Sequence, residues 1–173
     1  MGVVIVRSAE AADAAGVAQV HTVVWRQAYL DLLPDEFLAA RTITGDFWLP
    51  LITAPDPRTA IMVAVEGDVV IGFAAVGPAS PPAEVDSGVG QLYAIYLLAD
   101  YWGTGIGYQL HSAAIDELRR FAFPEAVLCV LFDNLRAIEF YQRQGWIDQG
   151  ITFEDEREGL VARERLMRLN LTP

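Results

Sequence analysis

Three glycines at alternate positions, in Trp102-Gly103-Thr104-Gly105-Ile106-Gly107, place the tightest local constraint on this chain. An apolar run over residues 91–98 precedes them, and a helical stripe of Ile106, Leu110, Ala114, Leu118 and Phe121 follows. The pattern predicts a strand, a tight turn and a helix over residues 103–121. Alternate glycines let several N–H groups converge on one concave surface, and a helix start adds unpaired donors and partial positive charge. Such a turn can cradle a phosphate or pyrophosphate without lysine. It can equally be a plain strand-to-helix turn. Two familiar phosphate loops do not match. A P-loop needs Gly-Lys-Ser/Thr, and the chain has no lysine. A Rossmann fingerprint needs Gly-x-Gly-x-x-Gly in the first βα unit, whereas these glycines are spaced differently and strands come before them.

The rest of the chain surrounds that turn with strands and helices. Residues 3–7 form a short β-branched run. Val17, Val20, Val24, Ala28 and Leu32 recur on one face of a helix over about residues 13–32. Pro34 starts a second short helix carrying Phe37 and Leu38. Residues 42–59 hold three prolines and predict a broken helix followed by a loop. Residues 60–66 and 69–76 flank Gly67-Asp68 as a hairpin, and residues 77–88, rich in Pro, Ser and Gly, form a loop. A buried strand over 126–132 and a helix over 134–144 follow, with Gly145 suited to the left-handed position after the helix. Two final strands, about 146–153 and 160–170, are separated by an acidic turn at 154–158. The order predicts one domain over residues 1–173, of α/β (α+β) class. It has a mixed, mostly antiparallel sheet of about seven strands with helices on both faces.

Composition narrows the partners. The chain has 173 residues, 53% hydrophobic and 20% charged, which excludes disorder. Twelve arginines face 23 Asp and Glu, a net charge of −11. Nucleic acid and anionic membranes both need a basic surface, so neither is an expected partner. A cationic small molecule or basic peptide suits the charge better. The lone Cys129, inside an apolar run, predicts a buried structural thiol and rules out an internal disulfide. Two separated histidines, His21 and His111, offer no metal cluster, and no metal is expected. With no long apolar span and no signal-like N-terminus, a cytoplasmic, soluble protein is expected.

Several runs together resemble the GNAT superfamily of N-acetyltransferases. They are Leu92-Tyr93-Ala94-Ile95-Tyr96-Leu97, then Trp102–Gly107, then Asn134-Leu135-Arg136-Ala137-Ile138-Glu139-Phe140-Tyr141, and finally Gly145-Trp146. The family shows a strand, a loop of the form Gln/Arg-x-x-Gly-x-Gly/Ala, and a later Asn-x-x-Ala-x-x-Phe-Tyr-x-x-x-Gly-Phe/Trp run. The match in order and spacing covers residues 60–146, and Trp25-Arg26-Gln27-Ala28-Tyr29 looks like the first helix of many bacterial members. The resemblance implies acetyl-CoA as co-substrate and transfer to a primary amine of a small molecule or peptide by direct attack in a ternary complex. Backbone groups of Ile95, Tyr96 and Leu97 would pair with the pantetheine arm, as an added strand does. Amides of Gly103, Thr104, Gly105, Ile106, Gly107 and Tyr108 would wrap the pyrophosphate. Asn134 would hydrogen-bond the arm, and Tyr141 would protonate the leaving sulfur.

The chain also departs from the family pattern. Trp102 stands at the Gln/Arg position, which implies weaker coenzyme A binding unless Arg136 compensates; His111 lies a turn further along its helix. Gln91 occupies the position where many relatives carry a glutamate, and an amide cannot accept a proton at neutral pH. Candidates for the base are Glu84, Asp86 or a water chain past Tyr93. Trp25, Tyr29 and Tyr93 are candidate acceptor-pocket residues, since aromatic faces suit a cationic amine; core packing is the other reading of Trp25 and Tyr29. A coenzyme A-binding module without transferase activity is the alternative function, and a homodimer through the C-terminal hairpin is compatible with the strand order.

Overall fold

The structure, a computed structural model, describes residues 2–30, 34–40, 42–80, 88–157 and 160–172. β1 (Val4–Ser8) pairs antiparallel with β2 (Ala60–Glu66), which turns at Gly67-Asp68 into β3 (Val69–Pro78). Between β1 and β2 lie α1 (Ala14–Tyr29), α2 (Asp35–Ala40) and α3 (Gly45–Thr53). After β3 come β4 (Gly90–Leu97), a 3-10 turn at Ala99–Tyr101, α4 (Ile106–Arg120) and β5 (Glu125–Leu131). α5 (Leu135–Arg143), β6 (Ile147–Arg157) and β7 (Leu160–Asn170) complete the chain. The sheet order is β1-β2-β3-β4-β5-β7-β6. β1 with β2, β2 with β3, β5 with β7 and β6 with β7 pair antiparallel, and β4 pairs parallel with β5. This is the seven-stranded mixed sheet the pattern predicts.

Contacts group the residues into two compact units. The first takes the chain up to Val76 together with Ala94–Glu117; the second takes Gly77–Tyr93 and the residues from Leu118 onward. In the first unit, alternation along β2 sends side chains to opposite faces. Val63, Val65 and Phe73 join Val17 and Val20 of α1 and Trp48 of α3. Met62, Ala64 and Ile71 join Ile106 and Leu110 of α4. Helices therefore cover both faces here, and each fully buried side chain of this size contributes about 1.5–3 kcal/mol. In the second unit Val89, Val127 and Leu166 form the centre of a core that also takes Ala79, Cys129 and Phe153.

Three predicted elements differ in the structure. Residues 42–59 hold the expected helix and following loop, but the helix, α3, runs unbroken through Pro50. Burial of Trp48 against α1 and β3 holds the helix despite the one backbone donor that proline removes. α4 begins at Ile106 rather than at Gly103, because Gly103 and Gly105 adopt left-handed φ of 74° and 88°. The acidic run is no turn up to Arg157: it continues β6, with Glu154 opposite Arg163 and Asp155 opposite Ala162. An opposite-charge cross-strand pair favours extension there.

Candidate active site

β4 brings the predicted coenzyme strand into view. Its parallel ladder with β5 holds two register pairs, Gly90 with Ala126 and Gln91 with Val127. The strand then runs on from Leu92 to Leu97. Packing fixes that stretch from both faces. Ile95 and Leu97 join the cluster of Met62, Ile71 and Leu110, while Ala94 and Tyr96 join that of Val17, Trp48 and Phe73. Tyr96 meets the Phe73 ring at 5.4 Å and the His21 ring at 5.3 Å. Gly72 on β3 makes this fit feasible: a Cβ there would sit 2.8 Å from the Tyr96 carbonyl oxygen and from Leu97 Cδ1. The sequence signal for Gly72 is a glycine inside an apolar strand, which marks close backbone approach.

The turn after β4 is anchored before it reaches the glycines. The Tyr101 hydroxyl donates to Glu66 at 2.6 Å, and this hydrogen bond holds the Glu66 carboxylate below the usual carboxylate range. The Trp102 indole N–H donates to the Leu97 carbonyl at 2.9 Å, and the Thr104 hydroxyl to the Tyr101 carbonyl at 2.6 Å. A Cβ added at Gly103 or Gly105 would meet nothing within 4 Å, so the turn opens on free space. Gln109 N–H bonds back to Gly105 O at 3.1 Å. The amides of Ile106, Gly107 and Tyr108 precede that rung, where a helix has no internal acceptor. Left-handed glycines, open space and a helix start together fit a diphosphate.

In the second unit, Asn134 caps α5: its Oδ1 accepts from Ala137 N–H at 3.2 Å. That bond commits the Oδ1 to the cap, so the side chain's remaining hydrogen-bonding group is its NH2. Tyr141, three helical positions after Ile138, is buried and meets Phe140 and Trp146 edge-on at 5.5 and 6.2 Å. Its carbonyl accepts from Gln144 and Trp146 as Gly145 takes a φ of 88°, so the glycine ends α5 as the sequence suggests.

With this geometry in place, likeness to known proteins becomes informative. The sequence model of the acetyltransferase (GNAT) family matches residues 17–146. The uncharacterized N-acetyltransferase YuaI of Bacillus subtilis (strain 168) is 30% identical over 141 residues, 80% of this chain and 78% of that protein. The chain belongs to the GNAT acetyltransferase family. Among solved structures, YncA of Salmonella typhimurium, determined with its cofactor acetyl-CoA, aligns with a TM-score of 0.72 at 22% identity, covering 99% of this chain and 96% of that one. The PaiA N-acetyltransferase of Thermoplasma acidophilum, in complex with coenzyme A, aligns at 0.65 and 15% identity, covering 97% and 99%. The chain is therefore an acyltransferase of the GNAT type, and the fold it shares occurs in proteins solved with acetyl-CoA or coenzyme A.

Within this GNAT chain the remaining candidates separate by environment. Trp25 is only 8% exposed and stacks on half-buried Tyr29 at 4.6 Å, so Tyr29 presents the more accessible ring of the pair. Tyr93 is exposed, and its hydroxyl donates to the Pro78 carbonyl. Gln91 is buried and accepts from the Ser80 amide at 3.0 Å through Oε1. The amide thus fastens the start of the segment after β3. Glu84 and Asp86 lie outside the described residues. Among the described residues no group of three His, Cys, Asp or Glu is placed to hold a metal ion, and no helix is long and apolar enough to cross a membrane.

One carboxylate escaped the sequence reading. Glu164 of β7 is 6% exposed, opposite Leu131 at the carboxyl end of β5 and opposite Phe153 of β6. Alternation along Glu164-Arg165-Leu166 puts Glu164 and buried Leu166 on one face, and this was the available signal. Arg163 and Arg165 on either side mask it as a solvated run; both guanidiniums lie over the Phe132 ring, at 4.0 and 4.2 Å.

Proposed function

We propose that this chain moves an acetyl group from acetyl-CoA to a primary amine of a small molecule or peptide, by direct attack in a ternary complex. The observation that carries this is β4, which pairs with β5 at two positions and then extends to Leu97 beside an amide-lined, open glycine turn. A strand edge of that kind accepts an extended amide-bearing arm as it would another strand. Acetyl-CoA supplies the acetyl group as a thioester when bound. Backbone groups of Ile95, Tyr96 and Leu97 hold the arm, the amides of residues 103–108 hold the diphosphate, and the Asn134 NH2 donates to the arm. A β4 amide donates toward the developing oxyanion. The Tyr141 hydroxyl gives its proton to the sulfur. The amine sheds its proton to water, since Gln91 is an amide tied to Ser80. Half-buried Tyr29 and exposed Tyr93 are the rings offered to a cationic amine.

Thiol release from acetyl-CoA over a panel of amines and peptides, for wild type and Tyr141→Phe, tests this function. Amine-dependent release that falls in the variant supports it. Gln91 also favours a second reading, a coenzyme-binding module without turnover. Binding of acetyl-CoA with no release above background across the panel would select that reading.

A further inference from the structure

Resting on the coenzyme assignment above, we propose that Trp102 is a binding residue for the neutral arm of the acyl donor. In this chain the donor is held through its neutral parts, and the 3′-phosphate of coenzyme A adds little to affinity. Three observations converge on this. First, the sequence from Ala99 to Leu118 contains no lysine or arginine, while Asp100, Asp116 and Glu117 are acidic. Of the described arginines in the same unit, Arg58 lies in the turn before β2, and Arg7 and Arg26 are engaged elsewhere. Arg7 forks onto Asp13 at 2.6 and 3.0 Å, and Arg26 donates to the carbonyls of Leu38 and Ala39.

Second, Trp102 is 41% exposed, whereas Trp25, Trp48 and Trp146 are buried. The Trp102 ring is not loose, because its N–H is bonded to Leu97 O at 2.9 Å. A large apolar face is therefore held where β4 ends and the amide turn begins. Third, Tyr108, also exposed, stands on the first turn of α4 beyond the glycines. An immobilised ring offers contact area at little entropic cost. Backbone dipoles serve the diphosphate without any full charge. Trp102 packs against the pantetheine arm as it leaves β4, where a basic side chain would instead have read the phosphates.

Charge makes the prediction directional. A protein of net charge −11 repels an anionic ligand at long range, and salt screens that repulsion. Calorimetric Kd values for coenzyme A and dephospho-coenzyme A, at about 50 and 500 mM NaCl, read this directly. The two ligands are expected within about fivefold of each other, with affinity equal or tighter at high salt. Trp102→Gln, which keeps an N–H donor without the ring, should weaken both ligands by a similar factor of about ten, and Trp102→Phe, which keeps a ring, should stay within about fivefold of wild type. Trp102 fluorescence should change on binding, because it is the exposed tryptophan. Dephospho-coenzyme A weaker by more than fivefold, affinity lost with salt, or Trp102→Gln binding as wild type would each overturn the proposal. If an affinity loss with salt disappears in Arg136→Ala, the phosphate is read by that arginine and the proposal is wrong. Failure of wild type to bind either ligand would instead remove the coenzyme assignment itself.

Discussion

At the scale of single residues, the proposed site side chains are held by their own bonds and packing. Asn134 commits its Oδ1 to the α5 cap and keeps its NH2, so Asn134→Asp preserves the cap while replacing donors by an acceptor. Tyr141→Phe should lower amine-dependent thiol release about a hundredfold while leaving acetyl-CoA affinity within about twofold, as loss of a general acid does; steady-state rates with calorimetry separate the two. Gln91 was legible as a departure from an acid, but its bond to Ser80 was not, because only folding brings residues eleven positions apart together. Asp13 is likewise silent in the sequence. Burial would raise its pKa, yet hydrogen bonds from Arg7 and the Glu10 amide outweigh that and hold it below the usual aspartate range. Asp13→Ala should cost about 2 kcal/mol, since hydrogen bonds to charged groups are worth about 1.5–3 kcal/mol. A thermal unfolding scan should then show Tm lower by about 4–8 °C for a chain of this size.

At the scale of elements, periodicity located most strands and helices, because alternation and the 3.6-residue stripe come from burial that tertiary packing preserves. It failed where a local rule was overruled. Pro50 argued for a break in the helix, but one lost backbone donor is small beside the buried Trp48. Acidic residues argued for a turn at 154–157, but pairing with Arg163 continued the strand. The glycine turn carries the sharpest element-level prediction. Gly105 holds φ of 88° with open space at its missing Cβ. Gly105→Ala therefore meets no steric neighbour, and its cost is the left-handed backbone, about 1–2 kcal/mol. Acetyl-CoA affinity should fall about tenfold as the turn relaxes out of shape, with a correctly folded protein by circular dichroism. Gly72→Ala should instead damage the fold. Its Cβ would press on the Tyr96 carbonyl and Leu97 at 2.8 Å, and overpacking of that kind costs about 1–3 kcal/mol.

At the scale of the whole molecule, family and fold were legible because two spaced motifs stand in the family's order along the chain. The acceptor was not, because its candidates come from separate segments, Trp25 and Tyr29 from α1 and Tyr93 from β4, while Glu84 and Asp86, the candidate bases, lie outside the described residues. Acidity now has a stability consequence as well. Asp13, Asp148 and Glu66 all have folded pKa values below their ordinary ones. Their contribution is complete above the ordinary carboxylate range and disappears as pH falls through the lowered folded values. Thermal midpoints measured against pH should hold a plateau near neutrality and drop below about pH 4. A midpoint that rose on acidification would mean relief of the net negative charge dominates instead.

The measurement closest to the central claim is hydrogen exchange along β4 with and without acetyl-CoA. If the pantetheine arm pairs with this strand as an added neighbour, amides within residues 93–97 and in the turn at 103–108 slow together on binding. Acetyl-CoA that binds in calorimetry yet leaves exchange across residues 93–97 unchanged would contradict the use of β4 as its docking edge.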